Sequence, residues 1–317
     1  MVIKIRKIAR RGFLIALFGV LVVCTFVAVD FPSNVKINYP TDTSLASKEH
    51  GEFLLGLAGC VNCHTDPKTK EAQLAGGREL KTPFGIFIAP NISSDPEHGI
   101  GSWSNEDFIR ALRHGQSPDG KHYFPAFPYV AYTRMTDADM LAIQKAIMAR
   151  PPYKTPNRRH AINFPFNQRW GIGFWKLLHF TPGSYEPKFD RSSQWNRGAY
   201  ISEAVAHCGE CHTPRVLSGG LDMSMWMAGV KNGPEGETAP NLTQDSETGL
   251  GEWSSEDISF LLTTGLKING DVVGSIMYEV IEHGTSKLDN EDVAAVVEYL
   301  KSLVPIHNPD APAAQGF

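Results

Sequence analysis

Cys60-Val61-Asn62-Cys63-His64 returns 148 residues later as Cys208-Gly209-Glu210-Cys211-His212, and the two segments hold four of the five cysteines in a chain of 317 residues. Two thiols three positions apart with an imidazole directly after them admit three chemistries. Structural zinc wants a second Cys or His pair roughly 12 to 20 residues away, far closer than these clusters stand. A thiol redox pair explains the cysteines but not the histidine present in both copies. The third reading makes each pair of thiols the thioether attachment of a haem, with the adjacent histidine as proximal iron ligand. It predicts two covalent c-type haems, one on Cys60, Cys63 and His64 and one on Cys208, Cys211 and His212.

An internal repeat runs outward from these motifs. Ala89-Pro90-Asn91-Ile92 recurs as Ala239-Pro240-Asn241-Leu242, and Gly99-Ile100-Gly101-Ser102-Trp103-Ser104 recurs as Gly249-Leu250-Gly251-Glu252-Trp253-Ser254, both displaced by 150. A net insertion of two residues therefore separates the motifs from this block, and one fold has been duplicated. Each copy reads as three helices around a haem. The first runs from about Lys48 to Ala58, and again from Gln194 to Ala206. The second starts at Ser104 or Ser254, each followed three residues later by Asp107 or Asp257 in a capping-box pattern. The third opens with Thr136 and Asp139, or Asp289 and Asp292, and stays apolar at helical spacing through Ile147 or Leu300.

The N-terminus sets the expected compartment. Lys4, Arg6, Lys7, Arg10 and Arg11 precede an uncharged, mostly apolar run from Phe13 to Val29, which is either a signal peptide or a short transmembrane helix. Bulky residues occupy the places where a cleavage site wants small ones, so an uncleaved anchor is expected, with its basic end in the cytoplasm and the remainder outside. Cys24 lies in this run as a buried membrane thiol, since Val23 before it spoils a lipoprotein site. The five basic residues of 1–29 face no Asp or Glu there, so the net charge of −4 leaves −9 for the rest. An acidic exterior argues against nucleic acid as a partner. The whole chain, with 42% hydrophobic and 20% charged residues, has the composition of a globular protein, which agrees with a folded exterior part.

The segments Gly76-Gly77, Thr82-Pro83-Phe84-Gly85, Pro90-Asn91-Ile92, Gly101-Ser102-Trp103, Tyr123-Phe124-Pro125-Ala126-Phe127-Pro128-Tyr129 and Trp195-Asn196-Arg197-Gly198-Ala199-Tyr200 resemble the cytochrome c subunits of membrane-bound periplasmic alcohol and gluconate dehydrogenases. The resemblance covers about residues 47 to 303. Those subunits typically carry three haems, so it implies a shorter dihaem relative. The expected fold is mainly α, two tandem class I cytochrome c domains preceded by an N-terminal transmembrane helix. The expected division is an anchor at 1–30, a first haem domain at 31–150, a connector at 151–190 rich in proline and aromatics, a second haem domain at 191–305 and a tail at 306–317. The connector is expected to wrap one domain against the other, with a docking surface as the alternative.

Sixth ligands are expected on the distal side. Met277, eleven residues before Leu288 at the closing helix, stands where class I cytochromes place a thioether, which predicts His212/Met277 ligation. In the first copy the displacement of 150 puts Phe127 at that place, and a phenyl ring cannot bind iron. The candidates are then Met135, with His122 as its competitor and an open iron as the third choice. Met223, Met225 and Met227 read as core or haem-wall residues, and His114, His160, His179, His207 and His283 as surface or hydrogen-bonded imidazoles.

No catalytic acid-base constellation is visible, so the expectation is an electron-transfer protein rather than an enzyme. It would sit in the cytoplasmic membrane by a single pass, with its haem domains in the periplasm. It would take electrons from a dehydrogenase and pass them to a cytochrome, quinone or terminal oxidase of the respiratory chain. The alternative is a dihaem enzyme such as a peroxidase using an open first haem. A thiosulfate-oxidising haem protein would need a cysteine on iron, and only Cys24 is spare. A redox or gas sensor ranks last, because no output domain is visible.

Overall fold

The computed structural model describes residues 47–69, 71–312 and 314, and these belong to one contact unit. The basic and apolar N-terminal segment expected as an anchor, with Cys24, lies outside the described residues. Among the described residues no helix is long and apolar enough to cross a membrane.

The first copy runs through α1 (Lys48–Leu57), α2 (Cys60–His64), the strands β1 (Glu79–Thr82) and β2 (Gly85–Ile88), α3 (Asn105–His114), α4 (Tyr129–Tyr132) and α5 (Asp137–Met148). The connector supplies β3 (Ala161–Ile162) and α6 (Trp170–His179). The second copy has α7 (Ser193–Tyr200), which winds on as a π-turn over Ile201–Val205, then α8 (Gly209–His212), α9 (Ser255–Thr264), α10 (Ser275–His283) and α11 (Asn290–Lys301). Both helices expected to start with a capping box do so. Ser104 and Ser254 accept from the amides of Asp107 and Asp257, whose carboxylates return the bond to the serine amides. The side chains of Thr136 and Asp289 cap the closing helices by accepting from Asp139 N and Asp292 N, without the return bond.

In each copy the first and last helices cross on a glycine. A Cβ on Gly51 of α1 would stand 1.9 Å from the carbonyl oxygen of Ala142 in α5, and one on Gly198 of α7 would stand 1.9 Å from that of Ala295 in α11. Only hydrogen lets the two backbones approach this closely. An apolar core then runs continuously through both copies, from Leu54, Leu55 and Ile143 to Ala199, Val296 and Tyr299.

The three strands form one antiparallel sheet in the order β1-β2-β3, with Gly85 opposite Ile162 and Ile86 opposite Ala161. The second copy has only an isolated Val230–Ala239 bridge there. Matching contacts show that the displacement between copies is not uniform. The Thr65 and Thr213 hydroxyls accept from Leu74 N and Met227 N, so it grows from 148 to 153 before returning to 150 at Pro90 and Pro240. The net insertion of two thus hides five residues gained and three lost.

The connector's α6 lies against both copies. Lys176 Nζ donates to the carbonyls of His114 (2.5 Å) and Gly115 (2.9 Å), while Trp175 Nε1 donates to Ser218 O and His179 Nε2 pairs with Ser218 Oγ. Its other face stays in solvent, with Trp170, Leu177 and Leu178 exposed.

Candidate functional site

Each Cys-X-X-Cys-His segment is a single helical turn set directly behind a longer helix. In the first copy Gly59 takes left-handed backbone (φ 67°) between α1 and α2; in the second His207 takes it (φ 42°) before Cys208. The chain reverses there, and the turn lifts both thiols and the imidazole out of the preceding helix axis.

The histidines are held alike. His64 Nδ1 lies 2.7 Å from the Pro90 carbonyl oxygen and His212 Nδ1 2.8 Å from that of Pro240. A carbonyl only accepts, so Nδ1 carries the proton and Nε2 keeps its lone pair free for a metal. Burial lowers the pKa of both rings, which favours this neutral form. Their own carbonyls accept from Gly76 N and Gly229 N, both 2.8 Å, which closes the loop over the motif.

Burial dominates the thiols. Cys60 and Cys211 are pushed up to about 12 and Cys208 to about 11, and Cys63 is also raised. A redox nucleophile wants the opposite shift, towards thiolate, whereas an uncharged thioether suits an apolar seat. Among the described residues no group of three or more His, Cys, Asp and Glu side chains converges on one point. Two thiols and one imidazole with a free Nε2 are therefore a donor set that fits covalent haem, in both copies.

The proline carbonyls are the part that motif reading missed. Their signal was present, because Ala-Pro-Asn was found as a repeat, but its role needed the geometry. The next residue completes it. Asn91 and Asn241 are buried, and their Nδ2 groups donate to Tyr153 O and Ile306 O in the chain that follows each closing helix. Ser93 Oγ accepts from Tyr153 N, and Thr243 Oγ1 from Ile306 N. Residues assigned by sequence to the connector and tail thus brace the haem motifs.

The two motifs meet. The Ala58 carbonyl, two residues before Cys60, accepts from Tyr132 Oη of α4 and faces His207 Nε2 at 3.3 Å. The Tyr132 and His207 rings pack edge-on at 5.4 Å. Cys63 is close enough to Cys211 to help raise its pKa. Across the seam α10 rests on α1 and α2.

The sixth-ligand candidates lie in different settings. Met277 is half-buried in the first turn of α10. Met135 is completely buried in the core, just before the Thr136 cap, and its carbonyl is held by Arg113 Nη2 at 2.8 Å. Phe127 packs edge-on against Tyr123 and tilted against Tyr132. His122 faces the connector, with Nδ1 3.1 Å from Lys176 Nζ, and burial plus that cation lower its pKa to about 4. The cap at α5 matches that at α11, so Met135 occupies the place of Leu288 rather than that of Met277. Of the three clustered methionines, Met227 is fully buried as expected, but Met223 is 65% exposed, because its short 3₁₀ turn carries it to the surface.

Residues 196–304 match the family model for cytochrome c. The chain is 42% identical to a dihaem c-type cytochrome of Cereibacter sphaeroides over 81% of its own length and 86% of the relative's. It is 36% identical to the fructose dehydrogenase cytochrome subunit of Gluconobacter japonicus, over 83% of this chain and 54% of that one. It is 36% identical also to the cytochrome c subunit of the quinone alcohol dehydrogenase of Gluconobacter oxydans, over 83% and 56%. The chain thus spans about half the length of these dehydrogenase subunits.

Proposed function

The chain belongs to the c-type cytochromes, in the group that includes the dihaem cytochrome and the dehydrogenase cytochrome subunits, and from that membership we propose that it carries electrons through two covalently bound haems from a dehydrogenase towards the respiratory chain. The observation that carries this reading is the duplicated donor set, two thiols beside an imidazole whose Nδ1 is tied to a proline carbonyl and whose Nε2 is left free. Haem, when bound, supplies a one-electron ferric/ferrous couple. The chain's own part is to fix the ring plane of His64 and His212, to exclude water with a continuous apolar core, and to offer a thioether on the far side. We assign that thioether to Met277 in the second copy and Met135 in the first. Complete burial of Met135 supports this choice, and the engagement of His122 by Lys176 weighs against its competitor. The donor is a dehydrogenase and the acceptor a cytochrome, quinone or terminal oxidase. The basic and apolar residues 4–29 support an anchor in the cytoplasmic membrane, with the haem units in the periplasm.

The test is substrate-dependent haem reduction by dehydrogenases encoded beside this gene. Reduction of two haems per chain is expected, and no reduction by any of them sinks the reading. Met277→Ala should abolish the near-infrared sulfur-to-iron band of one haem, and Met135→Ala that of the other. Carbon monoxide binding and peroxide turnover by the wild type would instead support the peroxidase alternative.

A further inference from the structure

Arg78 follows the Gly76-Gly77 turn that closes over the first haem motif, and its side chain is only 12% exposed. It does not serve its own copy alone. Its Nη1 donates to the backbone carbonyl of Asn62, inside Cys60–His64, at 3.0 Å, and to Glu279 Oε2 of α10 at 2.6 Å. Its Nε stands 3.6 Å from Glu235 Oε1, also in the second copy. Glu279 is two residues beyond Met277. At the C-terminal end of α10, a Cβ on Gly56 of α1 would lie 2.1 Å from the His283 carbonyl oxygen, and one on Gly284 would lie 3.1 Å from Leu57 Cα. The helix that bears Met277 is therefore held by the first copy at its middle, through Glu279, and at its C-terminal end.

We propose that Arg78 is a positioning residue that clasps the Met277 helix onto the first haem motif, so that Met277 is held on the second iron by a contact outside its own repeat. The proposal rests on the His212/Met277 assignment of the preceding subsection. The guanidinium is suited to this place because its planar fork reaches a carbonyl and a carboxylate at once, and a half-buried charge-assisted bond is stronger than a neutral one. The clasp is not repeated at the matching place. The loop position that matches Arg78 in the second copy is Lys231, which is exposed, and the first copy's distal segment meets the second copy elsewhere, through the edge-on packing of Tyr132 on His207 and the ion pair of Arg134 with Glu203 at 3.3 Å.

The test uses the full haem-loaded protein and four variants, Met277→Ala, Arg78→Ala, Arg78→Lys and Glu279→Gln, each read by haem content, by the sulfur-to-iron band and by carbon monoxide binding to the reduced protein. Met277→Ala should remove one band and open that iron fully. Arg78→Ala should keep two haems per chain, weaken the same band and raise the carbon monoxide-accessible fraction of that haem about tenfold, the scale of one lost hydrogen bond to a charged group. Arg78→Lys should fall between, since it keeps the charge without the fork. Glu279→Gln should act in the same direction as Arg78→Ala and decides the matter if Arg78→Ala loses haem. If Met277→Ala opens the iron while Glu279→Gln and any haem-retaining Arg78→Ala bind carbon monoxide as the wild type does, the clasp is overturned. If Met277→Ala itself leaves band and binding unchanged, the ligand assignment fails and takes the clasp's premise with it.

Discussion

The two copies agree on the side of the proximal histidine and part company on the other. Both seat an imidazole on a proline carbonyl, close the loop with a glycine amide on the histidine carbonyl, and tie the asparagine that follows the proline to the irregular segment beyond the closing helix. The distal sides differ in length, helix content and sulfur position, with a four-residue α4 against a nine-residue α10. Their covers differ too. The turn over residues 115–123 is roofed by α6, whereas its counterpart at 265–273 leaves Leu266, Ile268 and Val272 in solvent. Duplication preserved the contacts that fix each imidazole, and divergence fell on the distal segments and on what covers them.

The sharpest way to break the proximal half of this comparison is at the helix crossings. Gly51→Ala and Gly198→Ala should each destabilise the haem-loaded protein by about 3 kcal/mol, because a methyl group must force a backbone carbonyl away. Chemical denaturation checks both, and the two losses should be alike if the crossings are equivalent. A substitution tolerated in one copy only would show that its crossing is not a shared requirement.

Next come the buried asparagines. Asn91→Ala and Asn241→Ala each strip several hydrogen bonds from groups that water does not reach, for a cost of about 2 to 3 kcal/mol. Limited proteolysis should then find new cuts near Tyr153 or Ile306, in the segments these amides hold. Unchanged digestion patterns would reduce the asparagines to local turn formers.

The roof over the first copy should show in pH dependence. Lys176 reaches down from that roof and is 8% exposed, bonded to two carbonyls and an imidazole and 4.6 Å from the Tyr129 ring, and burial lowers its pKa to about 7. In the unfolded chain the amine titrates near 10.4. Below pH 7 both states hold the proton, and the burial penalty is fully present. Between pH 7 and 10 the unfolded state binds more protons, so stability rises with pH, by about 2 kcal/mol from pH 7 to 9. Lys176→Met should remove this slope, and equal slopes in wild type and variant would show that the amine does not titrate in this range.

Much of this is legible in the sequence alone, for a physical reason. Motifs such as Cys60–His64 and caps such as Ser104 with Asp107 are local, so spacing alone reveals them. The repeat exposed Pro90 and Pro240, but the hydrogen bond that makes them useful closes across 26 and 28 residues and leaves no spacing rule. Arg78 was invisible, since its partner Glu279 lies 201 residues away. A uniform displacement of 150 does not hold throughout either: the matching caps at Thr136 and Asp289 stand 153 apart, because insertions and deletions that partly cancel still shift every residue between them.

The smallest effect concerns the hinge before each motif, where Gly59 and His207 share left-handed backbone. For a residue with a Cβ this conformation costs roughly 1 kcal/mol, while glycine adopts it freely. His207→Gly should recover that strain. The same change gives up the ring's approach to Ala58 O at 3.3 Å and its edge-on packing on Tyr132 at 5.4 Å, each worth about 0.5 to 1 kcal/mol at that seam. The terms oppose, so the net change in stability should stay within about 1 kcal/mol. Gly59→Ala has no such compensation, because a Cβ there meets only His207 Nε2 at 3.6 Å, and it should cost about 1 kcal/mol outright. Thermal unfolding of the two variants side by side gives the answer: a loss for His207→Gly as large as that for Gly59→Ala would mean that the ring's contacts outweigh the backbone strain. A clear gain would mean that the second copy keeps its histidine at the expense of stability, for the sake of the contact with the first.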